Sequence, residues 1–429
     1  MDLRSIESFL LDHRIKGVPG GIEPFPISRI GEKRWNVLRE DLPLPLAILK
    51  ESALAHNGTW MRRFLGLSGA VIAPHGKTTM SPQLFARQFA DGAWGITVAT
   101  PQQLQVARDF GVQRIVLANQ LVGRQAIRYV VSELERDPRF EFYCLVDSEA
   151  NAAALAAAAR EAGLDRPIQV LLEGGYAGGR TGCRDLRTAL ALTRSVKRHE
   201  PYLALRGVEG FEGLFAGSTP EKEAHVRTFL EFLVEIAISA AQEQLFAPGP
   251  LILSAGGSAF YDMVVAAFRD AGMDREFLVL TRSGCYLTHD SVMYREAFES
   301  LRERSPEAAS LGAGLQPALE VWAYVQSRPE PEKVLLTIGK RDVSYDDMPV
   351  ALRWCRPGDL RPRTVSEDHV VTGLNDQHCH MSVPADSPLQ VGDMVGFGIS
   401  HPCLTFDKWQ VICVVNDNYT VTSAIRTFF

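Results

Sequence analysis

The sequence predicts an α/β protein, a (β/α)8 TIM barrel followed by a smaller β-domain. Three observations predict it. Eight short apolar runs alternate with helical stretches between residue 69 and about residue 290. After residue 310 the texture changes to β-branched or aromatic runs joined by turn residues. A lysine, an arginine and two glycine-rich turns all fall just after apolar runs, where a barrel carries its active site.

Residues 1–41, with Gly17-Val-Pro-Gly-Gly21, are loop-rich and form an N-terminal extension expected to join the β-domain in part. Leu44–Leu49 is expected to add a strand to that domain before a helix over Ser52–Leu67. The barrel is assigned to residues 42–300. Its apolar runs are Ala70–Ala73, Trp94–Ala99, Arg114–Ala118, Glu141–Val146, Ile168–Leu172, Leu205–Gly210, Leu251–Ser254 and Glu276–Leu280. Between them, segments such as Pro82–Ala90, Pro101–Phe110, Glu149–Ala162 and Glu221–Gln244 are periodic or alanine-rich and read as helices. Such alternation signals a parallel sheet with βαβ connections, and eight strands close a TIM barrel. A doubly wound open sheet would show the same alternation. Residues 301–429 form the β-domain, from runs such as Leu319–Gln326, Lys333–Ile338, His369–Thr372, Met394–Gly398 and Gln410–Val415.

Composition narrows the class. At 429 residues and 46% hydrophobic, the chain can bury one large core and a second, smaller one. A net charge of -6 with interspersed signs gives no basic stripe, which argues against nucleic acid. No apolar run of about 18 residues and no charged-then-apolar leader point to a membrane span or a signal peptide. The seven cysteines show no CxxC spacing, which fits reduced thiols in a cytosolic protein.

The chemistry begins at His75-Gly76-Lys77, after the run Gly69–Pro74. A lysine delivered by a buried strand end must be paired or neutralised, and that is the state Schiff-base chemistry needs. Lys77 could also simply open the next helix from solvent. Arg180-Thr181-Gly182 follows the fifth run, Ser254-Ala-Gly-Gly-Ser258 the seventh, and Arg282-Ser-Gly-Cys-Tyr286 the eighth. Gly256 and Gly257 let backbone amides approach an anion, and Ser258 is expected to open a helix whose N-terminus favours negative charge. Glu209 and Glu212 near the sixth run leave a carboxylate pair of glycosidase type open.

These motifs (Pro-His-x-Lys-Thr at residues 74–78, Arg-Thr-Gly at 180–182, Gly-Gly after the seventh run, and Gly-x-Tyr followed by Asp290) resemble the fold-type III pyridoxal-phosphate enzymes. Within them the chain is most similar to the D-serine dehydratase and D-threonine aldolase branch, related to alanine racemase. The resemblance covers the chain from about residue 42 to the end. It implies a barrel that carries the cofactor, a C-terminal β-domain, and a homodimer. It makes Lys77 the lysine that carries pyridoxal 5'-phosphate as a Schiff base, with His75 a catalytic candidate beside it. Ser254, Gly256, Gly257, Ser258, Gly284 and Tyr286 become candidates for the phosphate cup. Arg180 becomes a contact for the cofactor's phenolic oxygen or the substrate carboxylate. The usual Asp-x-Gly before Arg-Thr-Gly is replaced by Glu173-Gly-Gly-Tyr-Ala-Gly-Gly179, a longer and glycine-richer loop.

Two histidine motifs stand near the C-terminus, Asp376-Gln-His-Cys-His380 and Ser400-His-Pro-Cys-Leu404. On a strand, His401 and Cys403 would share a face, as would His378 and His380. Imidazole plus thiolate is a borderline-soft set that suits zinc. In the resembled dehydratase branch a His-x-Cys pair binds zinc beside the cofactor. That implies His401 and Cys403 as ligands of a divalent metal (zinc, or manganese in an aldolase), with His378 a third candidate. The expected activity is dehydration and deamination of a β-hydroxy D-amino acid to a 2-oxo acid and ammonia. Retro-aldol cleavage with the same parts is the alternative. Racemisation or non-catalytic cofactor binding would leave the metal motif without a purpose.

Overall fold

The computed structural model describes all 429 residues. The eight runs form one parallel sheet, with strands Val71–Ile72, Ile96–Val98, Arg114–Gln120, Glu141–Val146, Ile168–Gly174, Leu203–Gly210, Leu251–Ala255 and Phe277–Thr281. Neighbours in sequence are neighbours in space from the second strand to the eighth, and the eighth pairs with the first. This order has no reversal point, so it is not a doubly wound sheet. The first and second strands close the ring through an isolated bridge between His75 and Thr97. Two backbone bonds support the bridge, Thr97 N–H to Pro74 O at 2.9 Å and Trp94 N–H to Ile72 O at 2.8 Å.

Alternation along the strands divides the apolar residues between two faces. Ala73, Val116, Tyr143, Leu145, Leu171, Ile252 and Leu280 fill the barrel interior as one small cluster. Their strand neighbours face outward and join the large cluster shared with the helices, among them Val170, Leu172, Leu253, Leu233 and Phe268. No helix is long and apolar enough to cross a membrane.

The second domain is a mainly antiparallel sheet into which the chain feeds twice. Leu46–Lys50, ahead of the barrel, pairs antiparallel with Leu319–Glu330 and parallel with Val411–Val415. It runs directly into the helix Glu51–Ser68 that starts the barrel. The N-terminal residues Ile6, Leu11, Ile15, Val18 and Phe25 pack on this sheet through Trp322, Met394, Val411 and Cys413. The β-domain meets the barrel beside its first and eighth strands. There Phe428 N–H donates to Met80 O at 2.9 Å and Ser291 N–H to Ile399 O at 3.1 Å.

Two local expectations change. The helix after the seventh strand starts at Tyr261 rather than Ser258, because residues 258–260 form bends first. His401 and Cys403 do not lie on a strand: Pro402 caps a one-turn helix, Cys403–Phe406.

Gly207 in the sixth strand has no room for a side chain, since a Cβ there would overlap the carbonyl of Ile252 in the seventh. Gly207→Ala is expected to destabilise the fold by about 1–3 kcal/mol. Urea unfolding reads this directly, and an unchanged midpoint would show that the two strands can part without cost.

Candidate active site

The rim at the C-terminal ends of the strands collects most of the candidate side chains. Pro74, which has no N–H to donate, breaks the first strand. Lys77 then falls on a single 3-10 turn, Gly76–Thr78, and is exposed rather than buried at a strand end. Beside it, the His75 Nδ1 is buried without a partner. Burial first, and then the positive charges of Lys77, Arg282 and Arg180, push the His75 imidazole well below its usual pKa. His75 is therefore neutral in ordinary buffers.

The loop after the fifth strand folds back on that strand. Cys183 N–H donates to Glu173 O at 2.8 Å, Gly175 N–H to Cys183 O at 2.9 Å, and the Thr181 hydroxyl to the Glu173 carboxylate at 2.7 Å. Gly182, at φ 97°, lies against the Gly174 backbone, where no larger residue fits. Arg180 thereby returns to the rim, exposed, with its guanidinium 4.5 Å over the Phe211 ring.

The glycine turn after the seventh strand holds an anion already. The amides of Gly256 and Gly257 donate to the Glu212 carboxylate at 3.0 and 2.7 Å. Burial pushes the Glu212 carboxyl up, and these amides pull it back. The carboxylate oxygens stand in for the oxygens of a phosphate, so the turn fits the phosphate end of pyridoxal phosphate. Ser258 Oγ accepts from Cys285 N–H at 3.3 Å and ties this turn to the next. At Gly284 a Cβ would stand 2.5 Å from Thr78 Oγ1 and 2.6 Å from His75 O, so only glycine lets the eighth-strand turn approach the lysine turn.

Two cup candidates face elsewhere. Ser254 Oγ is buried, donating to Leu280 O at 2.9 Å and accepting from Arg282 Nη1 at 2.5 Å. Tyr286 is buried in the large hydrophobic cluster, its phenol pushed up by burial. Both sit where the barrel wall needs them rather than on the rim.

Sequence reasoning assigned Arg282 no role of its own. It is 4% exposed, ion-paired with Glu209 and bonded through Nη2 to Gly210 O at 3.0 Å. Burial pushes Glu209 up to about 8 against the pull of Arg282. The signal available was an arginine just after the eighth strand and an acid near the end of the sixth, with the seventh strand between them. Glu209 and Glu212 thus serve separate partners and do not form a glycosidase pair.

The β-domain supplies the other half of the site. Cys403 Sγ lies 3.5 Å from Thr78 Oγ1, one residue from Lys77. His401, two residues before Cys403, meets Asp346 Oδ2 through its Nδ1 at 2.5 Å. Cys403 first, then Asp346, raises the His401 imidazole to about 9. Hydrogen bonds from Cys285, His401 and Thr78 hold the Cys403 thiol well below its usual range. A histidine backed by a carboxylate and facing a thiolate is a donor set that fits a divalent metal.

His378 is not part of this pair. It is exposed at the head of strand Cys379–Ser382, which is separated from Met394–Gly398, the strand leading to His401, by two others. His380 Nε2 instead meets Asn375 Oδ1 at 2.8 Å. No group of three or more His, Cys, Asp or Glu side chains is arranged to hold a metal ion. A cavity of about 950 Å³ lies away from the rim, between helices Thr219–Gln242 and Tyr261–Arg269 and lined by Arg227, Leu230 and Arg304.

Fold and rim together define a fold-type III pyridoxal-phosphate enzyme. The model of the alanine racemase N-terminal domain matches residues 49–292, more than half of the chain, and the chain belongs to that family. A putative serine dehydratase domain matches residues 318–415. The D-threonine aldolase of Arthrobacter sp is 25% identical over 405 residues, 92% of this chain and 94% of the relative. Among solved structures, D-threonine aldolase from Filomicrobium marinum has a TM-score of 0.74 at 20% identity, over 90% of this chain and 95% of that one. D-threo-3-hydroxyaspartate dehydratase from Delftia sp. HT23 has a TM-score of 0.69 at 21% identity, over 92% and 99%. A cysteine-to-alanine mutant of that dehydratase is known in a metal-free form.

Gly256 has φ 111°, a conformation that side-chain-bearing residues rarely adopt. Gly256→Ala is expected to strain the turn by about 1–3 kcal/mol and weaken pyridoxal-phosphate binding about tenfold or more. Absorbance of the protein-bound cofactor during titration measures it. Unchanged affinity would remove this turn from the cofactor site.

Proposed function

We propose that the protein is a pyridoxal-phosphate- and metal-dependent lyase. It dehydrates and deaminates a β-hydroxy D-amino acid, of the D-serine or D-threonine type, to a 2-oxo acid and ammonia. The approach of Cys403 to Thr78, one residue from Lys77, carries this proposal, because it sets a candidate metal pair beside the candidate cofactor lysine.

When bound, pyridoxal phosphate supplies an electron sink for the charge that develops at Cα. The Gly256 and Gly257 amides, which the Glu212 carboxylate occupies in the free protein, would hold its phosphate in place of that carboxylate, and Lys77 would hold the cofactor until substrate arrives. The Lys77 amine then takes the Cα proton as general base. Arg180, a permanent cation, meets an anionic oxygen of cofactor or substrate carboxylate. His75 stays neutral among the cations and adds no further positive charge. His401 and Cys403 would hold the divalent ion, which would supply Lewis acidity toward the β-hydroxyl. Asp346 fixes the His401 ring through Nδ1 and leaves Nε2 for the metal. A thiolate rather than a carboxylate in the second position favours zinc over manganese. The working unit in this proposal is a cytosolic homodimer, a compartment in keeping with seven free cysteines.

The two D-threonine aldolase relatives favour a second reading with the same parts. A base would remove the β-hydroxyl proton, and the Cα–Cβ bond would break to give glycine and an aldehyde. Racemisation needs a second base on the opposite face of the cofactor and no metal, and is less well supported.

Incubating the zinc- and cofactor-loaded protein with D-threonine separates the two. 2-Oxobutanoate and ammonia are expected, lost on chelation and absent in Lys77→Ala. Acetaldehyde with glycine would overturn dehydration in favour of cleavage. Asp346→Asn is expected to weaken metal binding about 10–100-fold while leaving cofactor absorbance intact. Equal metal affinity in the two proteins, measured by chelator competition, would take His401 out of the metal site.

A further inference from the structure

We propose that Cys285 is a second thiolate ligand of the metal held by His401 and Cys403. The site then has two cysteines and one histidine and selects zinc. This rests on the assignment of His401 and Cys403 as ligands made above. Cys285 lies in the turn after the eighth strand, between Gly284 and Tyr286, and is 4% exposed. Its Sγ stands 3.9 Å from Cys403 Sγ, across the boundary between barrel and β-domain. Two thiolates on one tetrahedral zinc, each at about 2.3 Å, are separated by about 3.8 Å. A disulfide would require about 2 Å. The sulfurs are thus at the separation of co-ligands and well beyond that of a bond.

The surroundings hold Cys285 in this position. Its backbone N–H is bonded to Ser258 Oγ at 3.3 Å, and its sulfur contacts Thr78 Oγ1 at 3.9 Å. Gly284, which admits no side chain, lets the whole turn come close enough to the lysine turn for this contact. No other pair of cysteines among the seven makes a sulfur–sulfur contact. The three donors are not arranged as a finished metal cluster. The two sulfurs nevertheless already stand at ligand separation.

The chemical consequence is definite. Three protein ligands leave one tetrahedral position open, the pattern of a catalytic rather than a structural zinc. Two soft thiolates with one imidazole disfavour manganese and magnesium, which prefer oxygen donors. The open position would receive an oxygen donor such as the substrate β-hydroxyl.

Zinc-edge X-ray absorption on the full-length, cofactor-loaded protein counts the sulfur neighbours directly. Two sulfurs near about 2.3 Å are expected in the wild type and one in Cys285→Ser. Zinc affinity of Cys285→Ser, from competition with a chromophoric chelator, is expected to fall about tenfold or more, with less preference for zinc over manganese. One sulfur in the wild type overturns the proposal without recourse to any variant. So does a Cys285→Ser protein with unchanged sulfur count and affinity. Cys403→Ser separates this failure from that of the underlying assignment. Loss of zinc in Cys403→Ser alone leaves His401 and Cys403 as ligands and sinks only Cys285. Zinc retained unchanged in Cys403→Ser sinks the assignment itself.

Discussion

The end of the first barrel strand governs the rest of the rim. Only Val71 and Ile72 form its ladder, and Pro74 cannot extend it. The ring still closes, because His75 bridges Thr97 and because Thr97 Oγ1 donates to Ala73 O at 2.7 Å. Closing the barrel with a turn instead of a long strand leaves a one-turn 3-10 helix on the rim. That helix carries Lys77 outward and Thr78 toward the β-domain. Gly284 on the eighth strand and Cys403 from the second domain are both packed against it. Barrel closure, lysine exposure and domain contact are therefore consequences of one short strand.

The rim also concentrates charge, and each buried charge there has a partner. Arg282 is satisfied by Glu209, Ser254 and Gly210, and Glu212 by two glycine amides. An unpaired ion at such depth would cost several kcal/mol, so these pairings constrain which groups remain free to meet a ligand. Lys77 and Arg180 are left exposed. That is a division of labour: the paired groups hold the turns in place, and the exposed groups face solvent and ligand.

The two domains depend on each other through the chain path. A strand of the β-domain runs without a loop into the first helix of the barrel, and the domain's later strands return beside it. This fixes the β-domain beside the first and eighth strands. The segment 400–406 can then reach the lysine turn, and Asp346, from a distant loop, can reach the back of His401.

Much was determined by the sequence alone. Strand alternation, the number of strands, the change of texture near residue 310 and the strand at 46–50 follow from local apolar periodicity, which the fold preserves. The motifs around Lys77, Gly256 and Gly284 were legible because their chemistry depends on backbone conformation within a few residues. Only the tertiary structure decided the rest. Ser254 and Tyr286 carry the right atoms but face Arg282 and the core, since side-chain direction is set by packing across strands. His378 has the right spacing to His380 but lies strands away from His401. Asp346, Glu212 and Cys285 gain their meaning from contacts 55, 44 and 118 residues away along the chain. Contacts at that separation leave no periodic trace, because they are made by the closure of the barrel and the docking of the second domain.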